Sequence, residues 1–384
     1  MLRYWTAGES HGPALLALVD GFPAGLAVDT SAIDAELQRR QGGHGRGGRQ
    51  RIETDTVTFL SGLWRGTTLG SPLALQVVNR DAKLERLEDV ERPRPGHADL
   101  AGSIKHLGGV RAVLERASAR ETAARVAAGG LAKQLLSVFG IEVVGWVREL
   151  GGMALGGLDG PLLGKSAAEL RSIRDASAVY SLRPDRDPEV TGLIDRVGKE
   201  GDTLGGIVEV QVLGLPIGLG THAQWDRKLD GRLAQAVMAV QAIKGVEIGM
   251  GFETARRRGS DVHDPIHYEA TVRDTPTLGF SRPTNNAGGL EAGITNGQPL
   301  VVRAAMKPIS TLRKPLESVN LRTKQAEEAA YERSDVCAVS ACSVIVEGVV
   351  AFEVASALVD KFGGDSVEEM LARWNLYHDL ARRK

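Results

Sequence analysis

Helix-forming and strand-forming segments follow one another irregularly along this chain, and that order constrains the fold more than any other feature of the sequence. Residues 110–139 are rich in Ala, Leu, Arg and Glu and predict a helix, with an interruption expected near Gly129 and Gly130. Residues 206–213 alternate apolar and polar side chains, as a half-buried strand does. A regular βαβ succession would alternate helices and strands, so the sequence favours one α+β domain spanning residues 1–384.

The first residues predict a strand meander. Residues 2–7 and 14–19 have strand composition on either side of GESHGP, and a turn leads to a third strand-like piece at 26–29. Asp29 offers an N-cap for a helix that ends at about Gln41, where two glycines follow. The further predicted elements are a strand region at 52–78, two helix-like pieces within 152–190, a helix at 228–243, strands at 245–253 and within 290–308, and a long apolar helix-forming segment at 336–362.

The composition indicates a globular protein of the reducing cytoplasm. Apolar residues make up 42% and charged residues 25%, which argues against disorder. The sequence has no run of eighteen apolar residues, so a membrane span is not predicted. The first residues lack the apolar stretch of a signal peptide. Cys337 and Cys342 are the only cysteines, which is too few for a disulfide framework or a four-cysteine zinc site.

The stretch RRQGGHGRGGRQR at 39–51, called the arginine loop below, holds five arginines in a chain of formal net charge -1. RGG-like sequences that bind RNA are usually longer and carry aromatic residues for stacking. A solvated basic loop is the plain alternative. The glycines, however, let the backbone approach a ligand, and arginine suits bidentate contact with phosphate or carboxylate.

Further cationic residues extend this pattern along the chain. Two like charges about 4 Å apart repel by about 4 kcal/mol at an effective dielectric constant near 20, so a cluster of them calls for anions nearby. The sequence therefore predicts a small polyanionic ligand. The additional cations are Arg92, Arg94, Arg116, Arg120, Arg125, Lys307 and Arg333.

Two histidines lie in loops where they could act on a ligand. GESHG at 8–12 matches the hydrolase pattern G-x-S-x-G with Ser10 as nucleophile, but that pattern needs a helix afterwards and a strand is predicted here. Ser10 and His11 can instead face a ligand, with His11 passing protons near neutral pH. His97 lies in the proline-stiffened RPRPGHAD, where the alternative is a surface histidine packed on proline.

Metal and dinucleotide sites are not predicted. His263 and His267 are four residues apart, but Pro265 breaks the helix that would place both on one metal ion. GHGRGG at 43–48 matches G-x-G-x-x-G by letters, yet it follows a predicted helix rather than a strand. The sequence therefore contains no dinucleotide-binding fingerprint.

Taken together, these residues resemble the chorismate synthase family, in ten blocks that occur in the family's order through essentially the whole chain. The blocks are AGESHG (7–12), GGHGRGGRQ (42–50), WRGTTLGSP (64–72), RPRPGHAD (92–99), ERASARETAARVAAG (115–129), GDTLGG (201–206), QAIKGVEIG (241–249), TNNAGGLEAGITNGQP (284–299), MKPIST (306–311) and RSD (333–335).

The resemblance implies a lyase of the shikimate pathway, at the last common step of aromatic amino acid biosynthesis. The reaction is a 1,4 anti elimination that removes phosphate from C3 and a hydrogen from C6 of 5-enolpyruvylshikimate 3-phosphate, giving chorismate without net redox change. Reduced FMN is required as a transient electron donor and as a proton acceptor at N5. The implied fold is a β-α-β sandwich, with a helical layer between antiparallel sheets, assembled as a homotetramer.

Two rival functions stay open, a nucleic-acid-binding protein that uses the arginine loop and a flavin oxidoreductase that consumes NADPH at each turnover. We expect neither a nucleic-acid partner nor a membrane partner. Because the dinucleotide fingerprint is missing, NADPH is expected to act only indirectly, through an external flavin reductase.

The resemblance also implies roles for individual residues. His11, His97 and Asp335 are the expected catalytic residues: His11 at the departing phosphate, His97 in setting flavin protonation, and Asp335 at N5. Ala292 stands where the family commonly has a glycine. The expected substrate-binding residues are Ser10, Arg40, Arg46, Arg49, Arg94, Arg120 and Arg333. The expected cofactor-binding residues are Arg40 and Arg46, also connected with NADP, and Arg116, Ala117, Ser118, Gln241, Ala242, Ala292, Lys307, Pro308, Ile309, Ser310, Thr311 and Arg333.

Overall fold

Two antiparallel sheets enclose a layer of helices in the computed structural model of the protein, which describes residues 1–48, 52–157, 162, 164–332 and 334–384. The strands are β1 (Arg3–Ala7), β2 (Ala14–Asp20), β3 (Val57–Ser61), β4 (Leu63–Trp64), β5 (Thr67–Thr68), β6 (Leu73–Val78), β7 (Glu142–Leu150), β8 (Met153–Ala154), β9 (Gly206–Leu213), β10 (Ile217–Gly220), β11 (Ile243–Ile248), β12 (His267–Tyr268), β13 (Phe280–Ser281), β14 (Leu290–Glu291), β15 (Ile294–Asn296), β16 (Leu300–Met306), β17 (Glu317–Val319) and β18 (Ala326–Glu328).

The helices lie mostly between the sheets or cover their edges. The helices are α1 (Thr30–Gln41), α2 (Asp99–His106), α3 (Val110–Ala117), α4 (Thr122–Val138), α5 (Ala167–Asp175), α6 (Asp187–Glu200), α7 (Leu229–Met238), α8 (Gly259–Val262), α9 (Val339–Phe362) and α10 (Val367–Ala381).

The first sheet has the order β1-β2-β6-β3. Leu15, Ala17 and Val19 point into the core, whereas Leu16 and Leu18 are exposed, as the period-two geometry of a strand requires. The expected third strand at 26–29 is wrong. That segment makes only an isolated bridge, because the Thr68 hydroxyl accepts from the Leu26 backbone N–H at 2.9 Å in place of a ladder bond.

The second sheet has the order β11-β16-β9-β7-β8, and the strand predicted at 206–213 is confirmed as β9. Helices α4 and α9 pack against each other between the sheets, with α4 against the first sheet and α9 against the second. The α+β class with a helical layer between antiparallel sheets is therefore confirmed.

The central helix α9 is long and apolar enough to span a membrane by length and composition, with a mean hydropathy of 2.0. In this fold, however, 94% of that window is buried inside the protein. A helix that is apolar all round is either buried or in a membrane. The apolar segment at 336–362 is therefore explained as the buried core helix of this fold.

The helix predicted at 110–139 is interrupted, but not at the expected glycines. Ser118 has extended backbone angles, and its side chain accepts a hydrogen bond from the Arg120 N–H, which opens a 3₁₀ turn at Ala119–Glu121 between α3 and α4. Gly129 and Gly130 lie inside α4. The break at Ser118 exposes backbone and side chains that α-helical geometry would have turned away.

A buried cluster of charges links α9 to its neighbours. The Glu347 carboxylate is fully buried and accepts from Arg39 Nη2 at 2.7 Å, Lys133 Nζ at 2.5 Å and Arg174 Nη1 at 3.3 Å. Burial raises the pKa of Glu347, but the charges of these cations outweigh it and hold the pKa well below its usual range. Arg39, the first residue of the arginine loop, therefore belongs to the core.

The α4 and α9 backbones come closest at two glycines. A Cβ added at Gly129 would lie 2.4 Å from Gly348 Cα and 2.6 Å from the Gly348 carbonyl oxygen. A Cβ added at Gly348 would lie 3.6 Å from Gly129 Cα, which is ordinary contact. Of these two glycines, Gly129 is therefore the one that the packing of α4 on α9 requires.

Gly129→Ala is expected to lower the free energy of unfolding by about 1 to 3 kcal/mol, because the new methyl forces packed helices apart. Gly348→Ala is the matched control, since its methyl fits and alanine favours helix over glycine by about 1 kcal/mol. Urea unfolding of both variants measures the difference. Equal losses of stability in the two variants would contradict this asymmetric contact.

Candidate functional site

A cavity of about 640 Å³ opens at the break between α3 and α4. This volume lies within the range typical of small-molecule sites, roughly 300 to 1,000 Å³. Leu114, Val240, Met306 and Ile345 give the wall apolar surface. Most of the chain's predicted site residues belong to the same wall.

Two arginines share one buried carboxylate beneath the cavity. Asp55 Oδ2 accepts from Arg40 Nη2 at 2.8 Å and from Arg120 Nη1 at 2.6 Å. Burial lowers the pKa of Arg40 to about 10, against the opposing effect of Asp55. Burial likewise raises the pKa of Asp55, but hydrogen bonds and charge from Arg120 and Arg40 outweigh it and lower the pKa overall.

These arginines keep donor capacity for a ligand. Arg120 also donates from Nε to Asn79 Oδ1 at 2.8 Å, but its buried Nη2 makes no hydrogen bond within the described part of the chain. Its ionic contact with Glu53 is 3.6 Å long. Arg46 Nε is also buried and makes no hydrogen bond to a described residue. Buried guanidinium N–H groups without acceptors are costly, so they point to an anion that would bind there.

Asp335 fixes the arginine loop against the start of α9. Its carboxylate lies 2.7 Å from Arg46 Nη1 and accepts the Gly47 backbone N–H at 2.6 Å. His44 is held by the Ala178 carbonyl through its backbone N–H and by Asp195 through its ring, at 2.7 Å. The loop is therefore attached to the body of the protein at several points.

His97 and Arg94 share a fully buried carboxylate, that of Asp99. The Asp99 carboxylate lies 2.5 Å from His97 Nδ1 and accepts from Arg94 Nε at 2.8 Å. Burial raises the pKa of Asp99, but hydrogen bonds from His97 and Arg94 outweigh it and hold the pKa well below its usual range. Because an ionised carboxylate only accepts hydrogen bonds, the short Asp99 contact places the proton on His97 Nδ1, although Arg94 Nη2 also lies 3.2 Å from that nitrogen. Arg94 Nη1 donates to Thr311 Oγ1 at 3.0 Å, across the cavity wall.

His11 is held in the same manner by a different carboxylate. Glu115, on α3, lies 2.9 Å from His11 Nδ1 and accepts the His11 backbone N–H at 2.8 Å. Asp81 Oδ2 lies 3.8 Å from His11 Nε2 and 2.9 Å from Lys83 Nζ. The chain continues into β2 rather than a helix, so Ser10 does not lie on a nucleophile elbow.

The segment 307–311 forms the wall beside His97. Lys307 Nζ donates to the Gly96 carbonyl oxygen, and Thr203 Oγ1 donates to the Ile309 carbonyl at 2.8 Å. Next to it, the Ala242 carbonyl accepts the Lys307 backbone N–H at 3.0 Å. Ala242 has a φ of 68°, a left-handed conformation that non-glycine residues seldom adopt and that clusters at functional sites. Gln241 Nε2 donates to Glu121 at 3.0 Å.

Most of the predicted site residues line this one cavity. Arg116 does not, because its side chain turns to the carbonyl oxygens of Thr6 and Gly8, and Ala292 lies in the turn between β14 and β15 with a φ of 51. Arg49 and Arg333 lie outside the described residues. The functional roles assigned to all of the predicted site residues stay predictions. The residues in the wall are Ser10, His11, Arg40, Arg46, Arg94, His97, Ala117, Ser118, Arg120, Gln241, Ala242, Lys307, Pro308, Ile309, Ser310, Thr311 and Asp335.

Two carboxylates that hold these cations, Asp55 and Asp99, were not among the predicted site residues, whereas Asp335 was. Together the three carboxylates offset much of the arginine charge, so clustered arginines do not by themselves require ligand anions. Arg125 pairs with Glu121 at 3.0 Å, outside the cavity wall. Of Asp55 and Asp99, only Asp99 carried a sequence signal, its place two residues after His97.

The fold and the cavity define an α+β protein with a cavity of small-molecule size whose wall contains several cationic side chains. The chorismate synthase family model matches residues 2–359. A chorismate synthase from Geobacter metallireducens is 53% identical over 396 residues, and one from Geobacter sulfurreducens is 50% identical, each alignment covering 100% of both chains. A solved structure, described as the crystal structure of chorismate synthase, has a TM-score of 0.82 at 41% identity and covers 100% of this chain and 99% of its own.

The chain therefore belongs to the chorismate synthase family. It is a family of enzymes of aromatic amino acid biosynthesis that act on a small-molecule substrate.

The free energy of unfolding is expected to fall as the pH drops below about 4.5, because the pKa values of Asp55, Asp99 and Glu115 are lower in the folded protein than their ordinary values of 3.8 to 4.5. Above that pH their stabilisation is fully present. Below it the unfolded chain binds protons that the folded chain does not, and stability is lost.

Denaturant unfolding between pH 7 and pH 3 measures this dependence. The variant Asp99→Asn should show a shallower pH slope than the parent, because one of the depressed carboxylates is gone. An identical slope in the two proteins would contradict the role given to Asp99.

Proposed function

We propose that the protein converts 5-enolpyruvylshikimate 3-phosphate to chorismate by a 1,4 anti elimination that depends on reduced FMN. The observation that carries the proposal is that two histidines, each paired with a buried carboxylate, share one cavity with several cations in a member of this family. In the reaction the electron pair of the C6–H bond enters the ring diene and that of the C3–O bond leaves with phosphate. Electrons therefore balance without net oxidation or reduction.

The cations of the cavity suit the three anionic groups of this substrate, one phosphate and two carboxylates. Arg40 and Arg120 are held side by side by Asp55, and Arg120 Nη2 makes no hydrogen bond to any residue that the structure describes, with the Glu53 carboxylate 3.6 Å away. Arg46 lies on the loop that Asp335 fixes, and Arg94 is braced by Asp99. A rigid guanidinium recognises phosphate or carboxylate with two parallel hydrogen bonds, so less entropy is lost on binding.

The two histidines supply the proton chemistry of the chain itself. His11, with Ser10 beside it, would give a proton to the departing phosphate through Nε2, since Nδ1 is engaged by Glu115. His97 would hold a proton next to the ring system of the cofactor, with Nδ1 engaged by Asp99. Proton transfer from a positioned side chain typically contributes about 10² to 10⁴ in rate.

The residues present fit a flavin. Within the described residues, Oε1 of Gln241 is buried and accepts no hydrogen bond, so it is available to a flavin N–H. Ile345 and Met306 offer an apolar surface to a planar ring, and Lys307 and Ser118 offer donors to a phosphate group. When bound, reduced FMN would supply transient electron donation and a proton acceptor for the C6 hydrogen. Asp335, in the cavity wall, is the residue proposed to assist that proton transfer.

The nucleic-acid alternative is less well supported. A disordered RGG tract would be free of the body of the protein, whereas His44 and Arg46 are bound to Asp195 and Asp335. The alternative predicts salt-dependent RNA or DNA binding that is lost when Arg46, Arg49 and Arg51 become alanine. Tight FMN binding without nucleic-acid binding would exclude it.

Assembly, location and flavin supply are proposed from the family. We propose a cytoplasmic homotetramer of single-domain chains, residues 1–384, served by an external flavin reductase rather than by NADPH bound directly. Exposed Trp5, Leu16 and Leu18 on the outer face of the first sheet are compatible with association, and the cavity wall draws on residues from Ser10 to Ile345. Stoichiometric reduction of FMN by NADPH with the purified chain would contradict the dependence on a reductase.

The purified protein, assayed without oxygen with 5-enolpyruvylshikimate 3-phosphate and chemically reduced FMN, is expected to release phosphate and chorismate together. His11→Ala is expected to lower kcat by about 10²- to 10⁴-fold, because the general acid at the leaving phosphate is lost. Phosphate release and chorismate absorbance are measured in parallel.

His222→Ala is the matched control, because His222 is exposed in the loop after β10 and is not part of the cavity wall. Its kcat should equal that of the parent. A folded parent protein without phosphate release would rule out the proposed reaction, and net consumption of NADPH per turnover would indicate an oxidoreductase instead.

Gln241→Ala is expected to weaken FMN binding about 2- to 10-fold, because one hydrogen bond contributes roughly 0.5 to 1.5 kcal/mol net. Fluorescence titration of FMN measures the dissociation constant. Gln134→Ala is the control, since Gln134 bonds to Asp29 on the far side of α4. Unchanged affinity in Gln241→Ala would place the flavin elsewhere.

A further inference from the structure

We propose that Glu115 is a positioning residue for His11, one that keeps a proton on His11 Nδ1 and so assigns Nε2 to proton exchange with the ligand in the cavity. The catalytic part of this inference rests on the proposed function, because it assumes that His11 transfers a proton there.

The contacts of Glu115 are those of a side chain built to hold one ring. Both of its oxygens approach His11 Nδ1, at 2.9 and 3.0 Å, and Oε2 also accepts the His11 backbone N–H at 2.8 Å. The Glu115 side chain is 1% exposed, and it is not part of the cavity wall, whereas His11 is. Glu115 therefore contacts the His11 ring from outside the cavity wall. It fixes the plane of the ring through Nδ1 and the position of the His11 backbone through the N–H.

The chemistry of the carboxylate determines which ring nitrogen carries the proton. Burial raises the pKa of Glu115, but its hydrogen bonds with His11 outweigh this and lower the pKa overall, so the carboxylate is ionised near neutral pH. An ionised carboxylate has no proton to donate, and Nδ1 must therefore be the donor. In the neutral ring Nε2 is then the acceptor, and in the charged ring it is the acid that faces the cavity.

Among the residues that the structure describes, charged groups around His11 come from three segments. Glu115 and Arg111 belong to α3, with Arg111 Nη1 3.5 Å from Glu115 Oε1. Asp81 and Lys83 belong to the loop after β6, with Asp81 Oδ2 3.8 Å from Nε2. Glu332 acts only through Arg111, at 3.0 Å. Of these groups, only Glu115 lies within hydrogen-bonding distance of the ring among the contacts described.

The second cavity histidine provides an internal comparison. His97 Nδ1 is 2.5 Å from Asp99, a carboxylate buried to the same extent. The two pairs are separate, since Asp99 bonds to Arg94 and His97 whereas Glu115 bonds to His11. Each carboxylate should therefore act on its own histidine alone.

The test combines an NMR measurement of the protonation of the His11 ring nitrogens with steady-state kinetics. In the parent protein labelled with ¹⁵N-histidine, the nitrogen resonances of His11, assigned by comparison with His11→Ala, should show Nδ1–H. Glu115→Gln should add the Nε2–H form, because an amide can either donate or accept. Glu115→Asp, which keeps the charge, should retain Nδ1–H and serves if the glutamine variant does not fold.

The kinetic arm is a double-mutant cycle in the anaerobic assay. Glu115→Gln should lower kcat by at least about 10-fold, within the roughly 10²- to 10⁴-fold loss expected for a missing general acid, with KM little changed. In the His11→Ala background the same substitution should change kcat less than twofold, because its partner is gone. Asp99→Asn, by contrast, should still lower kcat in the His11→Ala background.

The outcomes separate this inference from the proposed function. A parent protein whose His11 carries its proton on Nε2 overturns the inference whether or not the protein is active. Equal losses from Glu115→Gln in the parent and His11→Ala backgrounds also overturn it, since they would show a merely structural role. An inactive parent with Nδ1–H on His11 overturns the proposed function and leaves the positioning of the ring established.

Discussion

Buried carboxylates beneath the cavity are the interactions on which the site depends. Asp55 holds two arginines, Asp99 holds an arginine and a histidine, and Glu115 holds a histidine. A charge buried without a partner costs several kcal/mol, so removing Asp55 or Asp99 would leave a buried guanidinium group without its main counter-charge. The cations are therefore oriented before a ligand arrives, and binding does not have to order them.

The helical layer determines where those carboxylates lie. Gly129 lets α4 and α9 approach until their backbones are in contact, and Glu347 ties α9 to Arg39 at the end of α1. The arginine loop starts at that point, so its geometry follows from the core. The break at Ser118 then brings the start of α4 to the cavity, with Arg120 at its edge. Packing and site are consequently parts of one arrangement.

Local sequence signals predicted the elements whose ends are set by nearby residues. Helix α1 begins after Asp29, whose side chain accepts from the Ser31 and Ala32 N–H groups, and it ends before Gly42, as expected. Strand β9 formed where the alternating sequence predicted it, although Glu209 and Gln211 on its polar side are buried as well. Helices α2 and α10 were not predicted, and the strand expected at 26–29 failed because Thr68, distant in sequence, supplies its hydrogen bonds.

The site was predicted through resemblance, and its electrostatics were not predictable from the sequence. Nothing local links Glu115 to His11, which are 104 residues apart, or Asp55 to Arg120, which are 65 apart. Such pairs become visible only when the chain is folded.

A flavin and an anionic substrate are proposed to bind a cavity whose charged groups are already in place. A crystal structure of the protein with FMN and inorganic phosphate tests it most directly. We predict both ligands in the cavity, with phosphate on Arg120 Nη2 and the pairs of Asp55, Asp99 and Glu115 intact. Ligands bound elsewhere, or bound only after those pairs break, would contradict the account.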